Sequence, residues 1–351
     1  MNGMRIGTRR VGGGAPCYVI AEAGSNHNGR LDLARRLIDT AARAGADAVK
    51  FQTFRAQRLY TRRAGRSGYL KLRTSIYDII RKMEMPYEWI PQLAAHCRKK
   101  GVSFISTPFD EESADRLAEF VDVFKIASYE LTHHPLLRHV ASFRKPILMS
   151  TGAATESEVA ESVGVLRRAG ARDLGLLQCT AAYPAPLESL NVRVLETLRR
   201  RFGCAAGLSD HSRDPLVGPM TAAALGADVL EKHFTLDNRL PGPDHKFSIT
   251  PEELAELVAR VHQVEQARGS GVKTVHRVEK ELRRFARRSL FAIQDIGRGA
   301  RLSSENVAVL RNGTMEQGLP PSAWSSVLGK SARRPLKAGY PVTKAVVDWK
   351  S

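Results

Sequence analysis

The fold class predicted by this sequence is an α/β one, a (β/α)8 TIM barrel followed by a small β-rich domain, and three observations predict it. From residue 17 to about 236, short apolar, β-branched runs alternate with longer segments whose apolar residues recur at helical spacing. That is the pattern of βα units around a parallel sheet. Eight such runs within roughly 250 residues is the arithmetic of a closed barrel, although a doubly wound open sheet would use the same units. After residue 288 the helical spacing stops and short strand-like runs and turns replace it.

The first four strand runs are CYVIAEAG (17–24), DAVKFQTF (47–54), VSFISTPF (102–109) and VFKIAS (123–128). The second four are PILMSTG (146–152), LGLLQCT (174–180), AAGLSD (205–210) and DVLEKHFT (228–235). Between them, segments such as LDLARRLIDTAARAG, WIPQLAAHCRKKG, ESEVAESVGVLRRAG and PLVGPMTAAALG keep apolar residues three and four apart and end on glycine, a helix stop. The second unit carries a long insertion at 55–89, rich in Arg and Gly, which reads as a lid or substrate-binding loop. A last helix, SITPEELAELVARVHQVEQARGSG, completes a barrel domain at residues 1–268. A charged connector at 269–288 reads as a linker, and 289–351 as the small domain. Within that domain DIGRGARLSSENV and PLKAGYPVTKAVV share an order of apolar, basic, Gly, then Ser or Thr, which predicts two related halves.

Composition narrows the class. An apolar fraction of 43% and a charged fraction of 26% suit a globular protein. No apolar run approaches the roughly 18 residues a membrane span needs, and the opening MNGMRIGTRRVGGGAPCYVI has no secretory pattern, so a cytoplasmic location is expected. Cys17, Cys97, Cys179 and Cys204 lie far apart without a CxxC pair, which argues against a disulfide framework or a cysteine zinc site. The net charge of +18 invites a nucleic-acid reading, yet the basic pairs are scattered over amphipathic segments, as solvated helix faces are. An anionic small substrate is a milder explanation, and a basic surface with no specific purpose is milder still.

Side chains two apart on a strand share a face. This places Glu231 with His233, Ser209 with His211, Lys50 with Gln52, Lys125 with Ala127 and Thr107 with Ile105, and sets Glu22 apart from Ala21 and Ala23. In each run the polar residue comes late, at the end of the strand where barrel enzymes keep their active sites. A lone His or Lys there reads as a hydrogen-bonded core residue or a snorkelling one; the same placement in successive units reads as a site. His211 and His233 can bind one divalent metal and leave positions open for substrate oxygens. Lys50 and Lys125, with the hydroxyls of Thr107, Ser128, Ser150 and Ser209, suit a phosphate or carboxylate. Glu22 and Glu231 are candidates for orienting water or moving protons. Together these groups point to condensation of a phosphorylated small molecule with an aldehyde. Lys232 turns to the other face, toward the helices, where a carboxylate partner is expected.

The runs IAEAGSNHNG, DAVKFQTF, FISTPFD, STG, GLSDHS and EKHFTLDNRLPGPDHKFS, with FKIAS before a Glu and CT before YPAP, resemble the sialic acid (N-acetylneuraminate) synthase family in order and spacing. The tail from Ser289 resembles that family's C-terminal antifreeze-like (SAF) domain. The resemblance implies an enzyme that condenses phosphoenolpyruvate with the open-chain aldehyde of an N-acylated hexosamine, releasing phosphate and forming a nine-carbon 2-keto acid. It implies metal ligation by His211 and His233, manganese being the usual ion and magnesium or cobalt alternatives. It further implies phosphoenolpyruvate binding by Lys50, Thr107, Lys125, Ser128, Ser150 and Ser209, and sugar binding by Gln52, Glu130, Tyr183 and Asp244. Glu22 would stand beside the reacting centre, where water reaches C2. Arg311, offered by the SAF domain of a partner subunit, would reach the N-acyl group, which implies a domain-swapped homodimer.

The chain departs from the family on the sugar side, with Arg-Asn-Gly at Arg311 in place of Arg-Pro-Gly, and Ala181 where several bacterial N-acetylneuraminate synthases carry Asn. N-acetylmannosamine is the first acceptor expected; legionaminic or pseudaminic acid synthesis would use the same chemistry. A non-catalytic anion- or carbohydrate-binding protein on this scaffold is the contrasting class, and retention of every candidate catalytic residue argues against it.

Overall fold

The computed structural model describes residues 3–66 and 74–350. Residues 67–73 of the expected lid therefore lie outside the described residues. The chain forms two compact units, Met1–Gly269 and Ser270–Ser351.

The first unit opens with an antiparallel hairpin, β1 (Met4–Ile6) and β2 (Arg9–Val11). Eight parallel strands follow: β3 (Tyr18–Gly24), β4 (Ala48–Thr53), β5 (Ser103–Pro108), β6 (Phe124–Ile126), β7 (Ile147–Ser150), β8 (Leu174–Cys179), β9 (Ala205–Asp210) and β10 (Val229–His233). They are hydrogen-bonded in the order β5-β4-β3-β10-β9-β8-β7-β6, and β5 and β6 lie side by side without a ladder where the sheet meets itself. This is a TIM-like barrel with one unladdered seam. Helices α1 (Leu31–Ala44), α2 (Ala56–Leu59), α3 (Ile76–Met83), α4 (Trp89–Lys100) and α5 (Glu111–Leu117) connect the first strands. Then come α6 (His134–Ser142), α7 (Glu156–Arg168), α8 (Val194–Phe202), α9 (Val217–Ala224) and α10 (Pro251–Arg268).

Local chemistry sets several of these boundaries. Thr155 and Glu158 form a capping box at the start of α7, and Thr250 and Glu253 do the same for α10, where Pro251 occupies a position that needs no N–H. Gly45 ends α1 at φ 83°, a left-handed conformation that a Cβ would penalise. No helix among the described residues is long and apolar enough to cross a membrane.

Period-two alternation divides the barrel's apolar residues into two cores. Val19, Ala21, Val49, Leu176, Leu208 and Leu230 face outward and pack with helix residues such as Leu37, Leu93, Val163 and Leu254. Ile20, Ala48, Ile105, Val123, Leu148, Leu177, Ala205 and Val229 face inward, clustered with Met4, Ile6 and Val11 of the hairpin. The hairpin thus plugs the amino-terminal mouth and leaves the carboxyl end for polar groups. Gly207 is required in the inner column of β9, since a Cβ there would come within 2.2 Å of the Val229 carbonyl oxygen.

In the second unit the expected linker carries a 3-10 turn (Arg277–Glu279) running into α11 (Lys280–Ala286). Its Lys, Glu, Arg and Leu are strong helix formers, so the connector is helical over part of its length. Strands β11 (Arg288–Ala292) and β12 (Val307–Arg311) pair antiparallel, followed by α12 (Trp324–Val327) and a second pair, β13 (Ser331–Ala332) with β14 (Val347–Asp348). Residues 291–308 and 331–348 have the same succession of strands, bends, bridges and turns. Equivalent positions meet: Ile296 N–H donates to the Leu336 carbonyl at 2.8 Å and Leu336 N–H returns to Ile296 at 2.9 Å. The two related halves read from the sequence are thus paired about a local pseudo-two-fold.

Candidate active site

Each inward column of the barrel begins apolar and ends polar. Glu22 follows Ile20 on β3, Lys50 and Gln52 follow Ala48 on β4, and Thr107 follows Ile105 on β5. Lys125 follows Val123, Ser150 follows Leu148, and Cys179 follows Leu177. Ser209 and then His211 complete the β9 column, and Glu231 and then His233 the β10 column. The late polar residues accordingly line one cavity of about 760 Å³ at the carboxyl ends of the strands.

Two lysines and two glutamates interlock on its floor, all within 4% exposure. Lys50 Nζ lies 2.8 Å from Glu22 Oε2 and 3.8 Å from Glu231 Oε1, and donates to Thr107 Oγ1 at 3.1 Å. Lys125 Nζ donates to Ser150 Oγ at 2.6 Å and to the Ile126 carbonyl at 3.0 Å, and stands 3.9 Å from Glu231. Ser209 donates to Glu231 Oε1 at 3.0 Å, and Gln52 Nε2 to Glu22 Oε1 at 3.0 Å.

These neighbours separate the two carboxyls. Burial pushes Glu22 up to about 7 against the pull of Lys50, and the Glu231 charge adds to the rise. Burial would raise Glu231 too, but Lys125 and Lys50 prevail and hold it below its ordinary value. Burial lowers Lys125, whereas for Lys50 the attraction of Glu22 and Glu231 overcomes burial and raises it.

Beside this floor stand the two imidazoles, ring centroids 5.3 Å apart. His211 Nδ1 donates to the Thr180 carbonyl at 2.9 Å, and against burial Cys179 and that carbonyl hold the imidazole above its ordinary value; in its neutral form the lone pair sits on Nε2. Burial, with neighbouring positive groups, holds His233 well below its ordinary value and hence neutral. Its buried Nδ1 has no hydrogen-bond partner, and Asp244 Oδ2 lies 3.9 Å away. Tyr183 stacks on His211 at 4.3 Å, and Phe247 meets His233 edge-on at 5.1 Å. An unpartnered buried nitrogen is costly, and a neutral imidazole with a second beside it fits a divalent ion held by two nitrogens, with the other positions left to water and substrate. Among the described residues no cluster of three His, Cys, Asp or Glu is arranged to hold an ion by itself.

All but two of the expected site residues line this cavity, Ser128, Tyr183 and Asp244 included. Glu130 is buried but does not line it; Glu130 lies in a 3-10 turn (Ser128–Glu130), where successive side chains diverge, and Tyr129 lines the cavity instead. Arg311 lies exposed at the end of β12, in the second unit. Sequence reasoning missed Cys179, whose Sγ lies 3.7 Å from His211 Nδ1, as well as Lys246, Phe247 and the apolar residues of α3. Parity with Leu177 could have found Cys179; one thiol in an apolar strand otherwise reads as core. Lys232 does find its carboxylate, Asp210 Oδ2 at 2.7 Å.

Residues 37–273 match the NeuB family and residues 287–347 match the SAF domain. The spore coat polysaccharide biosynthesis protein SpsE of Bacillus subtilis is 43% identical, over 92% of this chain and 90% of its own. An N,N'-diacetyllegionaminic acid synthase of Campylobacter jejuni is 39% identical, over 91% of this chain and 96% of its own. The solved N-acetylneuraminic acid synthetase of Leptospira borgpetersenii, in complex with citrate, superposes with a TM-score of 0.73 at 31% identity, covering 80% of this chain and 95% of that one.

Proposed function

The chain belongs to the NeuB family of phosphoenolpyruvate-dependent acid synthases, and from that premise we propose that it condenses phosphoenolpyruvate with an N-acylated hexosamine aldehyde. The observation that carries this reading is the buried lysine–glutamate floor set beside two imidazoles in one cavity.

Lys50 and Lys125 are desolvated cations with hydroxyls around them, and in our assignment they bind the phosphate and carboxylate of phosphoenolpyruvate with Thr107, Ser128, Ser150 and Ser209. His211 and His233 would hold the divalent metal, manganese by our assignment; when bound there it would act as a Lewis acid on the aldehyde oxygen. Gln52, Tyr183 and Asp244 would orient the sugar. In the reaction, C3 of phosphoenolpyruvate bonds to the aldehyde carbon, whose oxygen takes up a proton. Water adds through oxygen to C2, and expulsion of phosphate leaves the 2-keto acid. Glu22, poised near neutrality beside Lys50, is assigned the proton of that water, while Glu231 stays ionised and orders both lysines. Glu130, which does not line the cavity, is given no direct contact with the sugar in this assignment, and Arg311 is assigned to the acceptor bound by a partner subunit.

Phosphate release from phosphoenolpyruvate, measured across a panel of acylated hexosamines with and without a chelator, tests the proposal. Release is expected only with an acceptor present, is lost on chelation and returns with manganese. Absence of turnover with every acceptor would favour a binding protein. Full activity after thorough metal removal would sink the His211 and His233 assignment.

A further inference from the structure

In α3, Ile76, Ile79, Ile80 and Met83 recur at i, i+3, i+4 and i+7 and so share one face. A helix in a globular domain ordinarily turns such a face to the core. Here the buried residue of α3 is Tyr77, off that face, while all four aliphatic side chains are half-buried and line the cavity. Asp78, Arg81 and Lys82 are exposed. The polar side chains that line the same cavity come from strand ends and the loops after them, none from α3. Phe109 and Phe247 extend the apolar lining. The cavity therefore has an ionic floor and an aliphatic wall supplied by the connection between β4 and α4.

We propose that this wall is the specificity element for the acceptor. It receives the sugar's non-reacting end and selects an acylated amino-hexose carrying methyl-bearing groups there, a deoxy carbon or a second acylamido group, over one carrying free hydroxyls. This inference rests on the function proposed above. The aldehyde must face the floor, where the charged groups are, so the remainder of the open chain extends away from it. A cavity of about 760 Å³ holds both substrates and brings that remainder against the wall. A hydroxyl pressed on Ile79, Ile80 or Met83 loses water and gains no partner, whereas the methyl of a deoxy carbon gains contact, as does the acyl methyl of an amide whose N–H and C=O are turned away from the wall. The size of the discrimination is bounded: a methylene difference in an apolar pocket is worth about 10–200-fold, and an added hydroxyl about 100-fold.

The test uses the full chain at saturating phosphoenolpyruvate and follows phosphate release. Three acceptors are compared: an N-acetylated hexosamine, its 6-deoxy counterpart, and the 6-deoxy sugar with a second acetamido group replacing a hydroxyl. The wild type is expected to favour the last two by about 10–100-fold in kcat/KM, carried by KM. The near-isosteric changes Ile79→Asn and Met83→Gln are expected to shrink that ratio to within about threefold while the KM for phosphoenolpyruvate holds. Equal use of the hydroxylated sugar by the wild type overturns the inference and leaves the proposed reaction standing. So does an unchanged ratio in the variants, or a change in their sedimentation, which would mean that the wall covers a partner surface. Failure of all three acceptors to release phosphate removes the proposed reaction itself, and this inference with it.

Discussion

Glu22 is the side chain on which the opposing forces of the cavity are most evenly balanced. Burial raises its pKa to about 7 from 4.5, Glu231 adds repulsion, and Lys50 at 2.8 Å offsets only part of the cost of the charge. A carboxyl whose folded pKa is raised binds its proton more tightly in the folded chain than in the unfolded one. The cost of ionising Glu22 is thus absent below about 4.5, grows as pH rises, and is complete above about 7. In the metal-free protein, urea midpoints measured against pH should fall across that window in the wild type and lose that component in Glu22→Gln. In the proposed reaction the ionised form takes the proton of water, so kcat should rise with pH through a limb near 7. Glu22→Gln should lower kcat by about 10²–10⁴-fold and abolish the limb. A limb that survives the substitution would assign the proton transfer elsewhere.

At the scale of elements, β9 and β10 carry the imidazoles on their inward faces and a buried ion pair on their outward ones. Lys232 Nζ meets Asp210 Oδ2 at 2.7 Å and donates to the carbonyls of Ser212 at 2.6 Å and Asp214 at 2.8 Å. Asp210 in turn accepts from the Ser212 N–H at 2.8 Å. The loop that leaves His211 is thereby tied to the strand that carries His233. Lys232→Met should destabilise the fold by about 3–5 kcal/mol, because it strands a buried carboxylate; adding Asp210→Asn should recover part of the loss. Equilibrium urea denaturation of both variants measures this, and a double variant no better than the single one would deny the pair its role. The direction of Lys232, like the inward columns, was legible because parity on a strand leaves one choice. Other parts were not legible for equally physical reasons. The hairpin β1–β2 has strands of three residues, too short to show a period. The stripe on α3 announces an apolar face without saying whether core or cavity lies opposite. Glu130 sits in a 3-10 turn, where strand parity no longer applies.

At the scale of the molecule, Arg311, expected to reach the acceptor from a partner subunit, belongs to the second unit. That unit also exposes an apolar stripe where the connector turns helical. Val278, Leu282 and Phe285, spaced four and three apart, are 90%, 66% and 50% exposed. Charged residues occupy every position between them, so the segment is amphipathic with an exposed apolar face. If a partner subunit delivers Arg311 to the acceptor as proposed, a second copy is expected to cover this stripe. Leu282→Glu places a charge in the middle of it. In sedimentation runs over a concentration series, the wild type should behave as a dimer, and the variant should dissociate at concentrations at least tenfold higher. If Arg311 acts across that interface, the KM for the acceptor should rise as dimers are lost, and phosphoenolpyruvate binding, followed by calorimetry, should not change. Arg311→Ala should raise the acceptor KM by about tenfold or more while the dimer stays intact, since loss of a charge-assisted hydrogen bond costs about 1.5–3 kcal/mol. A monomeric wild type with full activity would overturn the domain-swapped arrangement. An Arg311→Ala protein defective instead in phosphoenolpyruvate binding would move that arginine to the other substrate.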